Sequence, residues 1–202
     1  PIDISELINH IVMEGSTVIS KPDCLVQIGK GRSAVVYKLP GENKVLKVFF
    51  PDYLHLAECE ATIYKELNNN HYFPNFFEVG EGYLILEYLD GMTFYDCLIK
   101  GVFITKDHLL QVDDALAYAR GKGLNPSDTH LQNVMLLRNG EVRVIDVVRF
   151  KQSKLCTHWD DLKYAYDTYY QRRFFPKQYP VWCVEFIIRL YRHGFIKFKK
   201  RK

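Results

Sequence analysis

The chain is poor in the features that mark secreted, membrane-spanning and metal-scaffold proteins. Its five cysteines are scattered and odd in number, and none forms a C-x-x-C spacing, so they favour neither a disulfide framework nor a zinc site. No signal peptide is recognisable, and no apolar run reaches membrane-spanning length. The net charge of only +3 gives no nucleic-acid footprint for the chain as a whole. We therefore expect a cytoplasmic protein without a transmembrane segment.

The remaining composition is that of an ordinary globular protein. Hydrophobic residues make up 48% of the chain and charged residues 25%, which is enough apolar surface to bury a core. A length of 202 residues suits one domain, or two small lobes that share a cleft. Repeats and low-complexity linkers are not recognisable. Function must therefore be sought in local patterns of residues.

The clearest local pattern is a hairpin in the third quarter of the chain. Two apolar runs, 134–137 and 142–145, flank the dipeptide Asn139-Gly140. Asn-Gly between apolar runs is a strong hairpin signal, because both turn residues then adopt positive φ. The sequence predicts two antiparallel strands joined by this turn.

Polar side chains stand at both ends of this hairpin. Asn133 enters the first strand, Asp146 leaves the second, and Asp128 lies just upstream in a loop that also carries His130. Because a hairpin brings its two ends side by side, we expect Asn133 and Asp146 to meet. Two oxygen ligands suit a hard cation such as Mg²⁺. The alternative interpretation is a surface hairpin whose polar residues are incidental.

Two charged residues occupy apolar positions in neighbouring elements of the N-terminal half. Lys47 lies in the middle of an apolar strand at 45–50, and Glu60 lies on the apolar stripe of the helix that follows. Burying an unpaired charge is costly, so we predict that the two side chains form an ion pair. The alternative is that both reach solvent. We also expect Lys47→Met to reduce activity more than folding, since methionine suits an apolar strand.

A glycine turn precedes these elements. Gly29 and Gly31 lie between a strand at 24–28 and a strand at 35–39. Glycines let backbone amides approach phosphate oxygens without a side-chain clash. A dinucleotide-binding fold would require a helix after the glycines, and a strand follows instead. A glycine-containing hairpin without a ligand is the alternative.

Further elements follow from periodicity and capping signals. Asp3 and Glu6 suggest a capping box at the start of the first helix, and Thr105 suits the N-cap of a later one. The predicted helices span 3–13, 106–120, 158–170 and 181–191, and further strands are predicted at 75–79 and 82–87.

The order of these features resembles the protein-kinase-like superfamily. Its catalytic loop has the spacing D-x-x-x-x-N, which Asp128 and Asn133 match, and its magnesium aspartate follows a strand as Asp146 does. The resemblance covers roughly residues 22–170. It implies a two-lobe α+β fold with a β-rich N-lobe at about 1–88 and a truncated helical C-lobe at about 89–202, with ATP in the cleft.

The resemblance also implies roles for the charged residues. Lys47 would hold the nucleotide phosphates, with Glu60 as its brace. Asn133 and Asp146 would hold Mg²⁺. Asp128 would orient the acceptor hydroxyl and accept its proton.

The nucleotide contacts are implied in the same way. In the family, the glycine turn covers the nucleotide and a hinge after the gatekeeper residue binds the adenine edge through backbone groups. Here 84–91 resembles that hinge. Applied to this sequence, the resemblance implies that the nucleotide is surrounded by Ile28, Gly29, Gly31 and Val36. It also implies that Leu86 is the gatekeeper and that the Glu87 carbonyl and the Leu89 amide bind adenine.

The chain also departs from typical protein kinases. Val147-Val148 replaces Phe-Gly after the metal aspartate, Pro126-Ser127 replaces His-Arg before the catalytic one, and Ala34 replaces the third glycine. No A-P-E motif follows. The short C-terminal region is similar to RIO and small bacterial kinase-like proteins, and the D-x-H-x-x-N form looks more like aminoglycoside and lipopolysaccharide-sugar kinases. Asp160 or Asp161 is expected to brace the catalytic loop.

These observations predict an ATP- and Mg²⁺-dependent phosphotransferase, an atypical serine/threonine protein kinase. One alternative is a small-molecule or sugar kinase, since the acceptor is a hydroxyl of unspecified origin. Another is a pseudokinase that acts as a nucleotide-binding or partner-binding module. The basic tail at 197–202 is either a solvated terminus or a weak contact to an anionic partner such as RNA, an acidic protein or lipid.

Overall fold

The structure is a computed structural model that describes residues 3–198. The chain divides into two compact units, Pro1–Leu89 and Asp90–Lys202. The predicted lobe boundary lies one residue before this division. That both units form one kinase-like domain stays a prediction.

The first unit is built on a five-stranded antiparallel sheet. Its strands are β3 (Val26–Lys30), β4 (Ala34–Lys38), β5 (Lys44–Phe49), β6 (Phe76–Gly80) and β7 (Tyr83–Glu87), in the spatial order β3-β4-β5-β7-β6. β5 is the central strand and is buried from Val45 to Phe49. Its register places Lys47 between Val36 of β4 and Leu84 of β7. The lysine is therefore at the centre of the sheet, as the apolar run predicts.

The helix α2 (Leu56–Leu67) lies next to β6 and β7. A short 3₁₀ turn at Pro51–Tyr53 leads into it, and Asn68 ends it with a left-handed backbone at φ 54°. Asparagine tolerates this conformation better than most residues. The buried face of the helix consists of Ala57, Glu60, Ala61, Ile63, Tyr64 and Leu67.

The first predicted helix is too long. The helix α1 (Ile4–Asn9) ends before a short hairpin of β1 (Val12–Glu14) and β2 (Thr17–Ser20). Asp3 caps the helix by accepting hydrogen bonds from the amides of Ser5 and Glu6. The chain then reverses at Gly15, whose φ of 55° favours glycine. The apolar residues after Asn9 thus reach the core cluster from a loop and strand, not from a continued helix.

The second unit contains a small antiparallel sheet and two capped helices. Its strands are β8 (Gly91–Thr93), β9 (Val134–Leu137) and β10 (Val142–Val144), in the order β10-β9-β8. The helices α3 (Phe94–Lys100) and α4 (Lys106–Gly121) both begin with a capping box. The cap of α4 is Thr105, as predicted. β8 and α3 were not predicted, because three residues of strand followed by seven of helix give little periodicity.

The hairpin of β9 and β10 is confirmed, but its turn differs from the predicted type. Gly140 has positive φ, at 85°, whereas Asn139 does not. The Gly140 amide donates to the Leu137 carbonyl at 3.0 Å, and the Leu137 amide donates to the Glu141 carbonyl at 2.8 Å. This is a three-residue loop that ends in a left-handed glycine. The Asn139 side chain accepts from the Glu141 amide at 3.0 Å, which stabilises the wider turn.

The last helices are α5 (His158–Ala165), which continues as a π-helical turn at Tyr166–Tyr170, and α6 (Val181–Arg192). The Tyr170 hydroxyl accepts from the Ile104 amide, and the Tyr166 hydroxyl donates to the Ile104 carbonyl, both at 3.0 Å. These bonds anchor the π-turn to the loop before α4. Within residues 3–198 no helix is both long and apolar enough to cross a membrane. Most of the basic tail, from residue 199 onward, lies outside the described residues.

Candidate functional site

The predicted ion pair in the first unit is present. The Lys47 ammonium donates to both carboxylate oxygens of Glu60, at 3.0 Å and 2.7 Å. The Glu60 side chain is 0% exposed and that of Lys47 is 11% exposed. The ammonium also lies 5.3 Å from the centre of the Phe49 ring. Strand β5 and helix α2 are thus joined by two desolvated, mutually compensated charges.

The glycine turn is part of the same sheet. Gly29 is opposite Val36 across a bulge between Gln27 and Gly29, and the Gly31 amide donates to the Ala34 carbonyl at 2.9 Å. Neither glycine has positive φ, and an added Cβ would approach other atoms no closer than 3.7 Å. The local fold therefore gives no reason for glycine at these two positions. Ile28, in the bulge, is 49% exposed.

The hinge segment ends β7 with several backbone contacts. The Glu87 amide donates to the Asn75 carbonyl at 2.9 Å, and the Glu87 carboxylate accepts from the Asn75 amide at 3.0 Å. The Tyr88 amide donates to the Asn43 carbonyl at 3.1 Å. Leu86 is buried, as a gatekeeper would be. Among residues 3–198 no hydrogen bond to the Leu89 amide is present.

In the second unit, Asn133 links the loop to the hairpin. Its side-chain amide nitrogen donates to the Asp128 carbonyl at 2.9 Å and lies 3.2 Å from His130 Nε2. Its backbone carbonyl accepts from the Ile145 amide at 2.9 Å, which places it beside the strand that delivers Asp146. The chain thus brings Asp128, Asn133 and Asp146 into one small unit. Since the Asn133 nitrogen is directed at a carbonyl, its side-chain oxygen is the atom left to face a cation.

Two of these residues hold an uncommon backbone conformation. Asp128 and Asp146 have φ of 60° and 58°, and the only other non-glycine residues with positive φ in the described chain are Asn68 and Asn69, at the end of α2. Aspartate and asparagine tolerate this region best, yet it still costs energy for a residue with a side chain. Strained backbone that does not end a helix is frequent at functional sites.

The surroundings of Asp128 are rich in groups that carry or share positive charge. His158 Nδ1 lies 3.6 Å from Asp128 Oδ1, and His130 Nε2 lies 3.8 Å from the same oxygen. Arg149 Nε lies 3.8 Å from Oδ2. The Asp128 amide donates to the Cys156 sulfur at 3.3 Å. The sequence pattern named Asp128 but missed His158, Arg149 and Cys156, because a contact across 21 to 30 residues of irregular chain leaves no spacing signal.

These neighbours determine how Asp128 ionises. Burial raises the pKa of Asp128, but the contacts with His158, His130 and Arg149 outweigh it and hold the pKa below its usual range. Burial lowers the pKa of His130, and this effect exceeds the attraction of Asp128 and Asp146 for a proton on the ring. At neutral pH the carboxylate is therefore ionised and the His130 ring uncharged.

The loop is braced by the segment that follows β10. Gln152 Nε2 donates to Ser127 Oγ at 2.7 Å, and Asn125 Nδ2 donates to the Gln152 carbonyl at 2.8 Å. The predicted brace was Asp160 or Asp161. Asp161 instead accepts hydrogen bonds from the hydroxyls of Tyr191 and Thr157, and Asp160 is mostly exposed beside Lys163. That prediction is wrong. The first residue of α5, His158, is directed at the loop, whereas Asp160 and Asp161 contact other groups.

The donor set is compatible with Mg²⁺. In residues 3–198 no group of three or more His, Cys, Asp or Glu side chains could hold a metal by itself. Mg²⁺ is commonly bound by one or two protein carboxylates, with water and substrate phosphates completing its octahedron. An amide oxygen from Asn133 and a carboxylate from Asp146 fit this pattern.

Comparison with known proteins agrees with the geometry. No protein-family model matches the chain. The chain is 47% identical over 189 residues to the protein named "Putative serine/threonine-protein kinase YrzF" of Bacillus subtilis (strain 168), a match that covers 92% of this chain and 88% of that protein. The chain therefore belongs to a kinase-like family.

Two more distant relatives carry similar names. The "Probable serine/threonine-protein kinase KIN1 homolog" of Enterocytozoon bieneusi (strain H348) is 26% identical over 143 residues, which cover 63% of this chain and 24% of that protein. The "Probable serine/threonine-protein kinase SCO3848" of Streptomyces coelicolor (strain ATCC BAA-471 / A3(2) / M145) is 35% identical over 68 residues, covering 32% of this chain and 10% of that protein. A sheet-rich first unit and a mainly helical second unit confirm the predicted kinase-like α+β fold class.

The first prediction concerns the buried ion pair and adds a stability effect to the loss of activity expected for Lys47→Met. Because Glu60 is fully buried, removing Lys47 takes away the ammonium that compensates its carboxylate, so we expect Lys47→Met to lower the free energy of unfolding by about 3 kcal/mol or more. Lys47→Met combined with Glu60→Met removes both charges and should recover most of the loss. Urea unfolding followed by circular dichroism measures both effects.

The matched control is Lys106→Met, which breaks an exposed pair with Asp167. Exposed ion pairs contribute about 1 kcal/mol or less, so this variant should unfold nearly as the wild type does. If Lys47→Met costs no more than Lys106→Met, the Lys47–Glu60 pair is not desolvated in solution.

The second prediction concerns the pKa of Asp128. His158→Gln removes a contact that lowers this pKa while burial, which raises it, remains, so the pKa should rise. A lowered folded-state pKa adds stability above the unfolded-state pKa of about 4, and this stability is lost as the pH falls through the folded-state pKa. The variant should therefore lose less stability between pH 6 and pH 3 than the wild type. Carboxyl ¹³C titration by NMR measures the pKa directly.

His55→Gln provides the control, since His55 is exposed in the first unit and lies far along the chain from the loop. It should leave the Asp128 titration unchanged. An Asp128 pKa that stays the same in His158→Gln would show that the His158 contact does not act on the carboxylate.

Proposed function

We propose that the protein is an ATP- and Mg²⁺-dependent phosphotransferase, a small serine/threonine protein kinase of atypical sequence. The observation that carries the proposal is the connection of Asp128 to the strand before Asp146 through Asn133. The names of the relatives support the same reaction class. Enzymes of this class work mainly by positioning groups and stabilising charge.

The ionisable residues would have separate tasks. Lys47 would contact the nucleotide phosphates, and Glu60 keeps its ammonium oriented before nucleotide arrives. Asp128 would accept a hydrogen bond from the acceptor hydroxyl and receive its proton as the hydroxyl oxygen bonds to the γ-phosphorus and the bond from that phosphorus to the departing ADP breaks. Its lowered pKa keeps the carboxylate ionised and ready to accept that bond at neutral pH.

Asn133 and Asp146 would hold Mg²⁺ through their side-chain oxygens. When bound, the cation neutralises the negative charge of the phosphates during transfer. The protein contributes the fixed orientation of the Asn133 amide, which the hydrogen bond to the Asp128 carbonyl supplies. The contacts of Asp128 with His158 and Arg149 lower its pKa, so this second carboxylate of the same unit stays ionised.

Backbone groups of the first unit would contact the nucleotide base and phosphates. The Leu89 amide and the Glu87 carbonyl are proposed for the adenine edge. Gly29 and Gly31, with Ile28 and Val36 beside them, are proposed around the nucleotide. The proposal is supported by glycines that the local fold does not require and by a Leu89 amide without a hydrogen-bond acceptor in the described residues.

A small-molecule acceptor is the second candidate. It is favoured by His130, which lies beside Asp128 and Asn133 where typical protein kinases carry lysine. The pseudokinase interpretation rests on Val147-Val148 and Pro126-Ser127, but each residue expected to touch phosphate or metal is of the type needed. Transfer of labelled γ-phosphate, first to the protein itself and then to protein and sugar acceptors, decides among these candidates.

The third prediction tests the glycine turn. Gly31→Ala should leave the unfolding temperature unchanged, because an added Cβ meets nothing closer than 4.0 Å in the fold. It should weaken ATP binding by about 10-fold, since a methyl group then stands where phosphate must approach. Isothermal titration with Mg-ATP measures the affinity.

Gly121→Ala is the control, as this glycine ends α4 and has no atom within 4 Å of an added Cβ. Both stability and ATP affinity should persist in that variant. Unchanged ATP affinity in Gly31→Ala would remove the glycine turn from the proposed nucleotide site.

The fourth prediction separates the roles of the two aspartates. Both Asp128→Asn and Asp146→Asn should fold, since asparagine tolerates the left-handed backbone at these positions. Asp128→Asn should keep ATP affinity and lose phosphate transfer by about 10²–10⁴-fold, the usual range for a general acid–base group. Asp146→Asn should also lose the Mg²⁺-dependent part of ATP affinity, because a carboxylate ligand is gone.

The measurements are ATP affinity with and without Mg²⁺ and phosphate transfer, for the wild type and both variants. Undiminished transfer in Asp128→Asn would refute the proposed role of Asp128. A wild-type protein that binds Mg-ATP but phosphorylates neither itself nor any acceptor would support the pseudokinase alternative.

A further inference from the structure

The small net charge of the chain conceals a strong separation of charge. Residues 172–202 contain ten Lys and Arg residues and a single acidic residue, Glu185. The preceding 171 residues carry the other 17 basic and 23 acidic residues. The C-terminal segment is therefore strongly cationic while the rest of the chain is anionic.

The folded part of this segment leaves its positive charge uncompensated. Glu185 accepts a hydrogen bond from the Tyr95 hydroxyl at 2.6 Å, a contact that raises the pKa of Tyr95 to about 12. Arg172, Arg173 and Arg189 are exposed, and within residues 3–198 none of them has an ion-pair partner. Three guanidinium groups are thus exposed with no carboxylate of the described residues within ion-pair distance, and Glu185, one turn before Arg189 on α6, is bonded to Tyr95 instead.

Helix α6 carries exposed apolar side chains together with one of these cations, Arg189. Val184 is its only buried residue, whereas Trp182 is 72% exposed, Phe186 55% and Ile187 46%. Trp182 and Phe186 are four residues apart and share one face of the helix, and Arg189, three residues further, adjoins it. Exposed aromatic residues also flank the helix in the chain, namely Phe174 and Phe195. Exposed aromatic side chains that share one helix face indicate a contact surface.

We propose that α6, together with residues 172–174, binds an anionic lipid surface. A helix with exposed Trp and Phe next to arginines lies in the headgroup region, where the rings enter the acyl boundary and the cations meet the anionic headgroups. Tryptophan in particular favours this depth. This surface is independent of the proposed catalytic function.

Charge and side-chain type argue against other occupants. A second copy that met this face with its own would bring two strongly cationic segments together. A nucleic acid would use the arginines and stack on the aromatic rings, but it gains nothing from the aliphatic Ile187 and Val181 on the same helix. The combination of aliphatic, aromatic and cationic groups matches lipid.

The first test is flotation of the full chain with vesicles of phosphatidylcholine alone or mixed with phosphatidylglycerol. The protein should bind the anionic vesicles, dissociate from them at high salt, and not bind the neutral vesicles. Trp182 is exposed whereas the other tryptophan, Trp159, is buried, so binding should shift the fluorescence to shorter wavelength. Trp182→Phe should still bind but lose the shift.

The second test uses charge and apolar variants with matched controls. Replacing Arg172, Arg173 and Arg189 by Gln should weaken partitioning on the order of 100-fold, since each cation near an anionic surface contributes about a factor of five. Trp182→Ser with Phe186→Ser should also weaken binding. The same charge change at exposed Lys65, Arg120 and Lys122, or Leu110→Ser on an exposed part of α4, should have little effect.

Several outcomes would overturn the proposal. The proposal fails if the protein does not bind anionic vesicles or binds neutral vesicles equally well. It also fails if the triple arginine variant binds as well as the wild type, or if the control variant with the same charge change loses as much binding as the triple arginine variant. If the protein binds single-stranded RNA but does not bind anionic vesicles, the surface would be assigned to nucleic acid instead. A fluorescence shift that persists in Trp182→Phe would place the contact elsewhere.

Discussion

The first unit depends on one ion pair at the centre of its sheet. Lys47 is surrounded by buried apolar residues of β5, and Glu60 is the one charged residue on the buried face of α2. Neither charge can be buried alone, so the strand and the helix are stable only in the arrangement that brings the two together. A rotation of α2 by one residue, about 100°, would leave both charges without compensation. The pair therefore fixes the helix more strictly than apolar packing would, because apolar contacts are not directional.

In the second unit the constraint is different, because an irregular loop must be held in one conformation. The loop from Asn125 to Asn133 has no strand ladder of its own, and Ser127, Asp128 and Asn133 are hydrogen-bonded from outside it, to the Gln152 side chain, the Cys156 sulfur and the Ile145 amide respectively. Each bond crosses an interval of a dozen or more residues. Such bonds can keep Asp128 in a left-handed conformation that the residue alone would leave. The irregular segment between Asp146 and α5 thus stabilises the loop, although it contains no helix.

The sequence predicted the features that follow from hydrophobic periodicity and from the free-energy cost of burying a charge. Lys47 and Glu60 were found because a charge in an apolar pattern requires a partner, and the hairpin was found because strands and turn agreed. The end of α1, the wider turn at Asn139 and the roles of His158 and Arg149 were missed. All three depend on tertiary contacts or local backbone conformations that no sequence pattern specifies. Leu7 and Ile11, for example, fit one helical stripe, yet Ile11 reaches the same core from a loop because Gly15 favours a hairpin.

The lowered pKa of Asp128 bears on how the proposed transfer would work. A carboxylate with a low pKa is a weak base, so it would remove little charge from an acceptor hydroxyl before the phosphoryl group begins to move. In a loose transition state the attacking oxygen needs orientation more than early deprotonation. The neighbours of Asp128 then help rather than hinder, since they lower its pKa and so keep the carboxylate ionised. The His130 ring contacts the Asn133 amide that the proposed cation site requires. The electrostatics of the loop therefore fit an orienting carboxylate better than a strong general base.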